Sequence, residues 1–179
     1  MSQVPILDPA DASPKVTAHL AKIDRAFGGV PNMFRAVSNS PAALTAMWSA
    51  FGAFSTGSLG AALTEQIALT VANQNRCEYC LAAHTALGVQ AGLDANALTA
   101  AQRASADEPR EEALLAFARA LVEHRGSIDP EMIPGLRAQG WTDEQIVETV
   151  AQVALNLFTN TVNIALEVPV DFPAVAFQN

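Results

Sequence analysis

Apolar residues recur at helical spacing along nearly the whole chain. In the first such segment they lie three or four positions apart, as expected for one buried helix face, at Val16, Leu20, Ile23 and Phe27. A capping residue followed by proline marks a helix start at Ser13-Pro14, Ser40-Pro41 and Asp129-Pro130. Outside the last dozen residues, no stretch alternates between apolar and polar positions. The pattern predicts an all-α fold, with residues 1–179 as a single domain in which residues 1–12 form an extended N-terminal arm.

The predicted helices are separated by glycines and by new capping signals. They cover about residues 14–27, 32–37, 41–56, 64–75, 77–91, 94–105, 109–126, 130–140 and 142–166. Thr142 and Gln145 form a capping box at the start of the last one. The helices at 64–75 and 77–91 are joined by Arg76 alone, so residues 64–92 should fold as an antiparallel helical hairpin.

A weak internal repeat relates the first helix of this hairpin to the last helix of the chain. Residues 65–72 and 144–151 are identical at six of eight positions, which predicts a second, related hairpin. In that copy the cysteines and the histidine of the first are replaced by Asn156, Thr159 and Asn163. Glu144 is the counterpart of Glu65 but has no cysteine partner. Glu65 could therefore also be an acid that the helix dipole favours in a first turn.

The last predicted helix carries a polar stripe on an otherwise apolar background, formed by Gln152, Asn156, Asn160 and Asn163. Buried polar side chains must be hydrogen-bonded. The stripe should therefore line either the pocket of a functional site or a contact between subunits, and we favour the subunit contact.

The residues capable of redox or nucleophilic chemistry gather in the hairpin at 64–92. Cys77 and Cys80 form a C-x-x-C motif, and on a helix this spacing places the Cβ atoms roughly 5–6 Å apart, near enough for a disulfide after a small adjustment. His84 follows Cys80 by one helical turn and can exchange a proton with its thiol. The turn at Arg76 should bring Glu65 within about one turn, ~5 Å, of His84. The pattern indicates a relay in which Glu65 orients His84 and His84 activates Cys80.

Two other interpretations of this motif remain open. The cysteines could be a pair of buried free thiols, or a zinc ion could be ligated by Cys77, Cys80, His84 and Glu65. Structural zinc normally takes its second pair of ligands from a distant segment, and the chain has only two cysteines. Haem attachment needs a histidine directly after the second cysteine, where Leu81 stands. No metal or cofactor is therefore predicted.

The motif E-x11-C-x-x-C-x3-H, which runs from Glu65 to His84, resembles that of alkylhydroperoxidase D-like (AhpD-like) proteins in the carboxymuconolactone decarboxylase superfamily. The likeness extends to Val30-Pro31-Asn32, Phe158-Thr159-Asn160 and Val168-Pro169-Val170-Asp171. The resemblance implies an AhpD-like helical bundle, assembly as a trimer or a dimer of trimers, and thiol peroxidase chemistry. By position, it implies that Cys80 attacks the peroxide and Cys77 resolves the product. It also implies that Glu65 and His84 relay protons.

The chain departs from this motif at one position. The best-known members of the family have a second histidine just before the second cysteine, where this chain has Tyr79. The Tyr79 hydroxyl could replace that histidine, or the side chain could serve only in packing. The sequence leaves both possibilities open.

Composition and charge narrow the possible partners and location. The 179 residues carry a formal net charge of -8, which disfavours nucleic acid and anionic membranes as partners. Hydrophobic residues make up 50% of the chain and charged residues 16%, so surplus apolar surface favours a homo-oligomer. No signal peptide is predicted, because residues 1–15 have no basic start and no apolar core. No membrane span is predicted, because polar residues interrupt the two long charge-free runs. Together with the close pair of cysteines, this favours a cytoplasmic protein.

The function favoured by the sequence is a thiol-dependent peroxidase that reduces alkyl hydroperoxides through a dithiol–disulfide cycle. Cys80 would become a sulfenic acid and then condense with Cys77. The partners would be a hydroperoxide substrate and an external dithiol or thioredoxin-like reductant. One alternative is a lyase of the carboxymuconolactone decarboxylase type, whose members lack the paired cysteines. The other is a non-enzymatic redox-sensing oligomer.

Overall fold

The computed structural model describes residues 2–179, in which it contains nine α-helices and no strand. The helices are α1 (Pro14–Phe27), α2 (Asn32–Val37), α3 (Pro41–Phe54), α4 (Ala61–Gln74), α5 (Glu78–Gln90), α6 (Ala95–Gln102), α7 (Pro109–Glu123), α8 (Met132–Ala138) and α9 (Asp143–Ala165). The predicted all-α fold is confirmed. Predicted and observed helix ends differ by three residues at the start of α4 and at the ends of α6 and α7.

Four of the other helices pack around α4. It contacts α5, α6, α7 and α9, and nine of its fourteen residues are buried. Ile67, Leu69 and Val71 point in different directions around the helix axis, yet all are 0% exposed, as expected for a helix enclosed on every side. A side chain that α4 presents to α5 is therefore held by a rigid, enclosed support.

The start of α4 differs from the sequence prediction. Gly60 occupies the N-cap position with a φ of 77°, and Thr64 N donates to Gly60 O at 3.1 Å. The predicted start at Thr64 was wrong because glycine adopts this backbone conformation without the Cβ clash of other residues. Glu65 consequently lies in the second turn of α4, whereas Glu144 lies in the first turn of α9. An acid favoured by the dipole in a first turn accounts for Glu144 but not for Glu65.

Left-handed residues end two helices before their predicted limits. Ala104 follows α6 with a φ of 56°, and Arg125 and Gly126 follow α7 with φ values of 53° and 86°. The spacing of apolar residues gives no sign that Ala104 and Arg125 adopt the left-handed conformation. A prediction from that spacing therefore makes α6 and α7 too long.

The N-terminal arm lies on its own chain. Gln3 N donates to Leu166 O at 2.8 Å, and Arg35 Nε donates to Leu7 O at 2.8 Å. The arm contains a 3-10 turn at Pro9–Asp11 and is otherwise without regular structure over residues 2–12. It thereby joins α2 to the end of α9.

The helix α9 is continuous over 23 residues. The single helix predicted over residues 142–166 is present, and the second hairpin suggested by the internal repeat is not. In the repeat, Leu155 is the counterpart of Arg76. Arg76 is left-handed, with a φ of 55°, whereas Leu155 is helical and buried within α9. The similarity is therefore confined to residues 65–72 of α4 and residues 144–151 of α9. As one long helix, α9 extends alongside the α4–α5 hairpin and carries its polar stripe to the cysteines.

One side of α9 exposes apolar side chains. This exposed apolar face consists of residues that are between 36% and 66% exposed, namely Val147, Val150, Leu157, Phe158 and Ile164. Within residues 2–179, no helix combines the length and the apolar character that crossing a membrane requires.

Candidate active site

The two cysteines lie at the turn between α4 and α5. Arg76 adopts a left-handed conformation directly after α4, and Cys77 N donates to Ala72 O at 3.0 Å. Cys77 is then the N-cap of α5, and its sulfur accepts a hydrogen bond from Cys80 N at 3.3 Å. The turn expected at Arg76 is present, and it places both sulfurs at the start of α5.

Cys77 and Cys80 are free thiols in direct contact. Cys77 Sγ donates a hydrogen bond to Cys80 Sγ across 2.8 Å. The two residues are 1% and 2% exposed, respectively. Because a disulfide holds its sulfurs about 2.05 Å apart, an approach of less than about 1 Å would be enough to form the bond.

Glu65 and His84 form the carboxylate–imidazole pair expected from the hairpin. His84 Nδ1 lies 2.8 Å from Glu65 Oε2, and their side chains are 12% and 16% exposed. Burial would lower the pKa of His84, but the charge of Glu65 and its hydrogen bond outweigh burial and raise that pKa. Glu65 thus favours the imidazolium form of His84.

Gly88 allows α5 to approach α4 and α6 at this pair. A Cβ atom on Gly88 would lie 2.5 Å from Leu98 Cδ2 and 3.2 Å from Leu93 Cδ1. It would also lie 3.8 Å from Glu65 Cβ. The missing side chain one turn beyond His84 therefore keeps α5 close to the carboxylate on α4.

The polar stripe of α9 reaches the second cysteine. Asn163 Nδ2 donates to Cys80 Sγ at 3.2 Å, and Asn160 Oδ1 accepts from Asn75 Nδ2 at 2.9 Å. All members of the stripe are at most 4% exposed, namely Gln152, Asn156, Asn160 and Asn163. The favoured assignment of the stripe to a subunit contact was wrong, because these side chains are buried within the chain. Buried amides need hydrogen-bond partners in a functional site as much as in a subunit contact, so the sequence rule did not distinguish the two. The structure places the stripe at the candidate site.

The surroundings of Cys80 lower the pKa of its thiol. Burial alone would raise this pKa, whereas the hydrogen bond from Cys77 and the charge of His84 lower it. The side-chain amides of Asn163 and Asn160 lower it further, and the resulting pKa of Cys80 is about 7. Near neutral pH a large share of Cys80 is therefore thiolate, the nucleophilic form.

The first cysteine is shifted in the opposite direction. Its hydrogen bond to Cys80, burial and the charge of Cys80 all raise the pKa of Cys77. Cys77 lies nearest the positive end of the α5 dipole, which alone would favour its thiolate. Its position as the donor toward the Cys80 sulfur outweighs that effect, so the pair holds its proton on Cys77.

A small cavity of about 40 Å³ opens beside Cys80 and His84. Most of its lining is apolar and comes from Phe27, Pro31, Met33, Phe34, Phe51, Ala83, Leu87 and Phe172. The polar lining is limited to Tyr79, Cys80, His84, Thr159 and Asn163. A cavity of this size holds a few water molecules or a small reactive group, and its apolar wall favours a substrate with an apolar body.

Tyr79 has a packing role in this wall. Its hydroxyl oxygen accepts a hydrogen bond from Met33 N at 3.1 Å, and its ring packs edge-on against Phe172 with centroids 5.7 Å apart. Its hydrogen bond joins α5 to α2 rather than to Cys80 or His84. The structure therefore favours packing over replacement of the missing histidine.

The sequence identified four site residues that the fold brings together: Cys77, Cys80, His84 and Glu65. It did not identify Asn163 as a partner of Cys80. Chemically, the arrangement offers a thiolate, a thiol able to form a disulfide with it, and a proton donor at one end of an apolar cavity. Within residues 2–179, no group of three or more His, Cys, Asp and Glu side chains is arranged to hold a metal ion.

Comparison with solved structures defines the class of fold. The chain superposes with a TM-score of 0.84 and 22% identity on an uncharacterised peroxidase-related protein from Ralstonia eutropha JMP134, described as an alkylhydroperoxidase AhpD core. That match covers 95% of this chain and 92% of the other. A peroxidase-related protein from Silicibacter sp. TM1040 matches with a TM-score of 0.81 and 22% identity over 98% of this chain and 92% of its own. The chain therefore has the fold of the AhpD core.

A family model matches the segment from the start of α3 to the end of α7. Residues 41–123 match the family model of the carboxymuconolactone decarboxylase family, and this segment contains both cysteines, His84 and Glu65. The resemblance inferred from the sequence is thereby confirmed. None of the curated proteins matches the chain significantly.

A third solved structure adds a different chemistry to the comparison. The debrominase Bmp8, crystallised as a cysteine-to-alanine variant with 2,3,4-tribromopyrrole, matches with a TM-score of 0.81 and 22% identity. That match covers 94% of this chain and 91% of Bmp8. The same fold is thus found in a debrominase that was crystallised with a brominated pyrrole.

Proposed function

We propose that this protein is a thiol-dependent peroxidase that reduces small apolar hydroperoxides by cycling Cys77 and Cys80 between dithiol and disulfide. The observation that carries the proposal is the environment of Cys80. Its sulfur contacts Cys77 Sγ at 2.8 Å and the Asn163 amide at 3.2 Å, beside the His84–Glu65 pair and an apolar cavity. A thiolate next to a proton donor and a second thiol has every group that the cycle needs.

In the first step, the Cys80 thiolate attacks the terminal oxygen of the hydroperoxide and the O–O bond breaks. Cys80 becomes a sulfenic acid, and the alkoxide that leaves takes a proton from the His84 imidazolium to give an alcohol. Glu65 favours the protonated form of His84 before this transfer, as the raised pKa of His84 indicates.

In the second step, the Cys77 sulfur attacks the Cys80 sulfenic sulfur. The S–O bond breaks, and the hydroxide that leaves combines with the Cys77 proton to form water. An external dithiol then reduces the disulfide by exchange and is itself oxidised to a disulfide. Each turn of the cycle moves two electrons from the external dithiol to the hydroperoxide.

The test is consumption of cumene hydroperoxide in the presence of dithiothreitol, compared between wild type, Cys80→Ser and Cys77→Ser. Wild type should turn over, and Cys80→Ser should fall to the uncatalysed rate. Cys77→Ser should react once and retain a sulfenic acid on Cys80 that a dimedone probe traps. Turnover of Cys80→Ser at the wild-type rate would contradict the proposal. A wild type that forms the disulfide without turnover would support the redox-sensing alternative.

A second candidate is the reductive dehalogenation of a halogenated aromatic ring. The specific observation that favours it is the aromatic wall of the cavity, to which Phe27, Phe34, Phe51 and Phe172 contribute. The similarity of this fold to that of the debrominase Bmp8 also supports the second candidate. Replacement of carbon–bromine by carbon–hydrogen needs two electrons, which the dithiol can supply as it becomes a disulfide, with bromide and one proton as the other products.

The two candidates are distinguished by their products. Reduced protein mixed with a brominated pyrrole should release one bromide ion per disulfide formed if the second candidate holds. Bromide can be measured by ion chromatography, with Cys80→Ser as the control. Bromide release without detectable peroxide turnover would replace the first candidate by the second.

A further inference from the structure

Asn163 has one side-chain atom whose hydrogen bond is not made within the described residues. Its Nδ2 donates to Cys80 Sγ at 3.2 Å, but its Oδ1 is buried without a hydrogen-bond partner. Asn163 is only 4% exposed, and it lines the cavity beside Cys80 and His84. Buried polar atoms are nearly always paired. The site therefore holds an acceptor that suits a ligand carrying a hydrogen-bond donor.

The orientation of this amide follows from the charge of its neighbour. A thiolate accepts hydrogen bonds and has no hydrogen to donate, so the nitrogen of the amide faces Cys80 Sγ when that thiol is ionised. The hydrogen bond from Asn163 lowers the pKa of Cys80, as this orientation requires. Since Nδ2 and Oδ1 branch from the same carbon, Oδ1 is held next to the reactive sulfur.

Two other donors at the site are already used. Thr159 lines the same cavity, but its Oγ1 donates to Asn156 O at 3.0 Å. Cys77 Sγ donates to Cys80 Sγ. Neither side chain satisfies Asn163 Oδ1, which leaves this atom to a molecule that enters the cavity.

We infer that Asn163 Oδ1 binds the O–H group of the oxidant, and that the site thereby selects neutral hydroperoxides, R–O–O–H, over oxidants that lack this hydrogen. The inference rests on the proposed peroxidase function and adds a substrate-binding atom to it. One amide then holds both reactants, because its nitrogen binds the sulfur and its oxygen binds the peroxide.

This arrangement brings the reacting atoms together. An O–H···O hydrogen bond is about 2.7–2.8 Å long, so a terminal oxygen bound to Asn163 Oδ1 lies alongside Cys80 Sγ. It can approach the sulfur to the separation of about 3–3.5 Å from which attack proceeds. The inner oxygen of the peroxide is left for His84, which lines the same cavity. Its Nε2 is free to donate, because Glu65 Oε2 contacts Nδ1.

The hydrogen bond is compatible with the first step of the proposed cycle. The Cys80 thiolate forms an S–O bond to the terminal oxygen, and the O–O bond breaks. That oxygen keeps its hydrogen, so the product on sulfur is the sulfenic acid, and the alkoxide takes its proton from His84. Asn163 neither gains nor loses a proton. A peroxide with an alkyl group on both oxygens would leave Asn163 Oδ1 unpaired, which disfavours its binding.

The first test measures binding without any redox step. The alcohol 2-phenyl-2-propanol is the product expected from cumene hydroperoxide, and tert-butylbenzene has a methyl group in place of its O–H. Each compound is titrated into reduced protein, and its affinity is measured from the slowing of Cys80 labelling by N-ethylmaleimide. Asn163→Leu should lower the affinity for the alcohol relative to the hydrocarbon by about fivefold, as expected for the loss of one hydrogen bond between neutral groups.

Asn156→Leu is the matched control for this titration. Asn156 belongs to the same buried stripe but does not line the cavity, so this variant should keep the wild-type ratio of affinities. The same ratio in Asn163→Leu as in wild type would overturn the inference.

A second measurement needs no variant. In wild type with isotope-labelled asparagine, the Cγ resonance of Asn163 should move downfield when 2-phenyl-2-propanol is added, because a hydrogen bond polarises the carbonyl. With tert-butylbenzene, which has no donor, that resonance should shift less. Equal shifts with the two compounds would contradict a hydrogen bond to Oδ1.

The third test compares two reagents at the same sulfur. Cumene hydroperoxide carries an O–H, whereas N-ethylmaleimide has neither an O–H nor an N–H. Asn163→Leu changes the pKa of Cys80 for both reagents, so the ratio of their rates reports on the hydrogen bond to the peroxide. The ratio of the peroxide rate to the maleimide rate should fall by about fivefold in Asn163→Leu and keep its wild-type value in Asn156→Leu. An unchanged ratio in Asn163→Leu would refute the selection of hydroperoxides.

These tests separate the inference from the proposed function. Normal peroxide turnover together with an unchanged alcohol preference in Asn163→Leu would overturn the inference and leave the peroxidase standing. Failure of wild type to react with any hydroperoxide would remove the proposed function, and with it the assignment of the O–H group to a peroxide. The binding of the alcohol would still show whether Asn163 Oδ1 is an acceptor for ligands.

Discussion

Replacing Asn163 by leucine should raise the pKa of Cys80, because leucine has a similar volume but cannot donate a hydrogen bond to the sulfur. A hydrogen bond to a charged group contributes about 1.5–3 kcal/mol, and one pKa unit corresponds to about 1.4 kcal/mol. The loss should therefore raise the pKa of Cys80 by about 1–2 units from its value of about 7. At pH 7 the thiolate fraction would fall from about half to about 1–10%.

The effect on reaction rate is smaller, because a thiolate becomes more nucleophilic as its pKa rises. With a Brønsted coefficient of about 0.4–0.5, the rate constant of the thiolate increases about threefold for each unit by which the thiol pKa rises. Labelling of Cys80 at pH 7 should thus slow by about two- to sixfold in Asn163→Leu. Well above both pKa values, where Cys80 is fully ionised in both proteins, the variant should react faster than wild type.

The assay is the rate of labelling by iodoacetamide between pH 5 and pH 10, with Cys80 followed by peptide mapping. In wild type the rate should rise with pH through a midpoint at about 7, because deprotonation creates the reactive form. Asn156→Leu is the matched control, since Asn156 Nδ2 donates to Gln152 O within α9 and not to the cysteine. A midpoint that is the same in Asn163→Leu as in wild type would refute a role for the amide in stabilising the thiolate.

Three further predictions concern the relay, the packing of α5 and the assembly. His84→Ala should remove most of the preference of limiting iodoacetamide for the second cysteine, and Glu65→Gln should weaken it less, because the carboxylate acts through the imidazole; equal effects would contradict the relay. Gly88→Ala should lower the free energy of unfolding by about 0.5–2 kcal/mol, since its Cβ would lie 2.5 Å from a leucine methyl of α6 and the overpacking cost of about 1–3 kcal/mol exceeds the gain of about 0.5–1 kcal/mol from alanine in a helix. Gly135→Ala, with no atom within 4 Å of its Cβ, should instead raise that free energy by about 0.5–1 kcal/mol in denaturant titrations. Light scattering at micromolar concentration should give a homo-oligomer that Val147→Glu on the exposed apolar face of α9 weakens; a wild-type mass of 18.8 kDa would exclude it.

The sequence predicted the hairpin at the centre of the site because its signals are local. The motif spacing fixes Cys77, Cys80 and His84 on neighbouring turns of one helix. The single residue available for the turn forces α5 back along α4, which brings Glu65 to 2.8 Å from His84. Each step depends on residues within about twenty positions of one another. Patterns of this range are those that a single sequence encodes most directly.

The start of α4 was harder to predict because two capping signals compete there. Thr64 and Gly60 are about equally favourable as N-cap residues by type. The structure places Gly60 at the cap and continues the helix through Thr64. Tertiary packing decides the outcome, since the added first turn buries Leu63 to 7% exposure. Helix signals in the sequence do not include that gain from burial.

The contact between Asn163 and Cys80 joins residues 83 positions apart, and no local pattern encodes which helix faces a sulfur. The polar stripe predicted that the amides of α9 have buried hydrogen-bond partners. From the sequence alone, these partners could lie in another subunit or in a site within the same chain. The continuous helix predicted over residues 142–166 carries Asn163 to the start of α5, but the sequence does not show that α9 lies against that turn. At that position, the nitrogen and the oxygen of the Asn163 side-chain amide have different surroundings. Nδ2 donates to Cys80, whereas Oδ1 is buried without a hydrogen-bond partner, and Asn163 lines the cavity beside Cys80. An unpaired buried acceptor lowers the free energy of unfolding by about 1–3 kcal/mol. A ligand that donates a hydrogen bond to Asn163 Oδ1 would remove this cost. In the proposed peroxidase cycle, the O–H of a hydroperoxide in the cavity beside Cys80 would be such a donor.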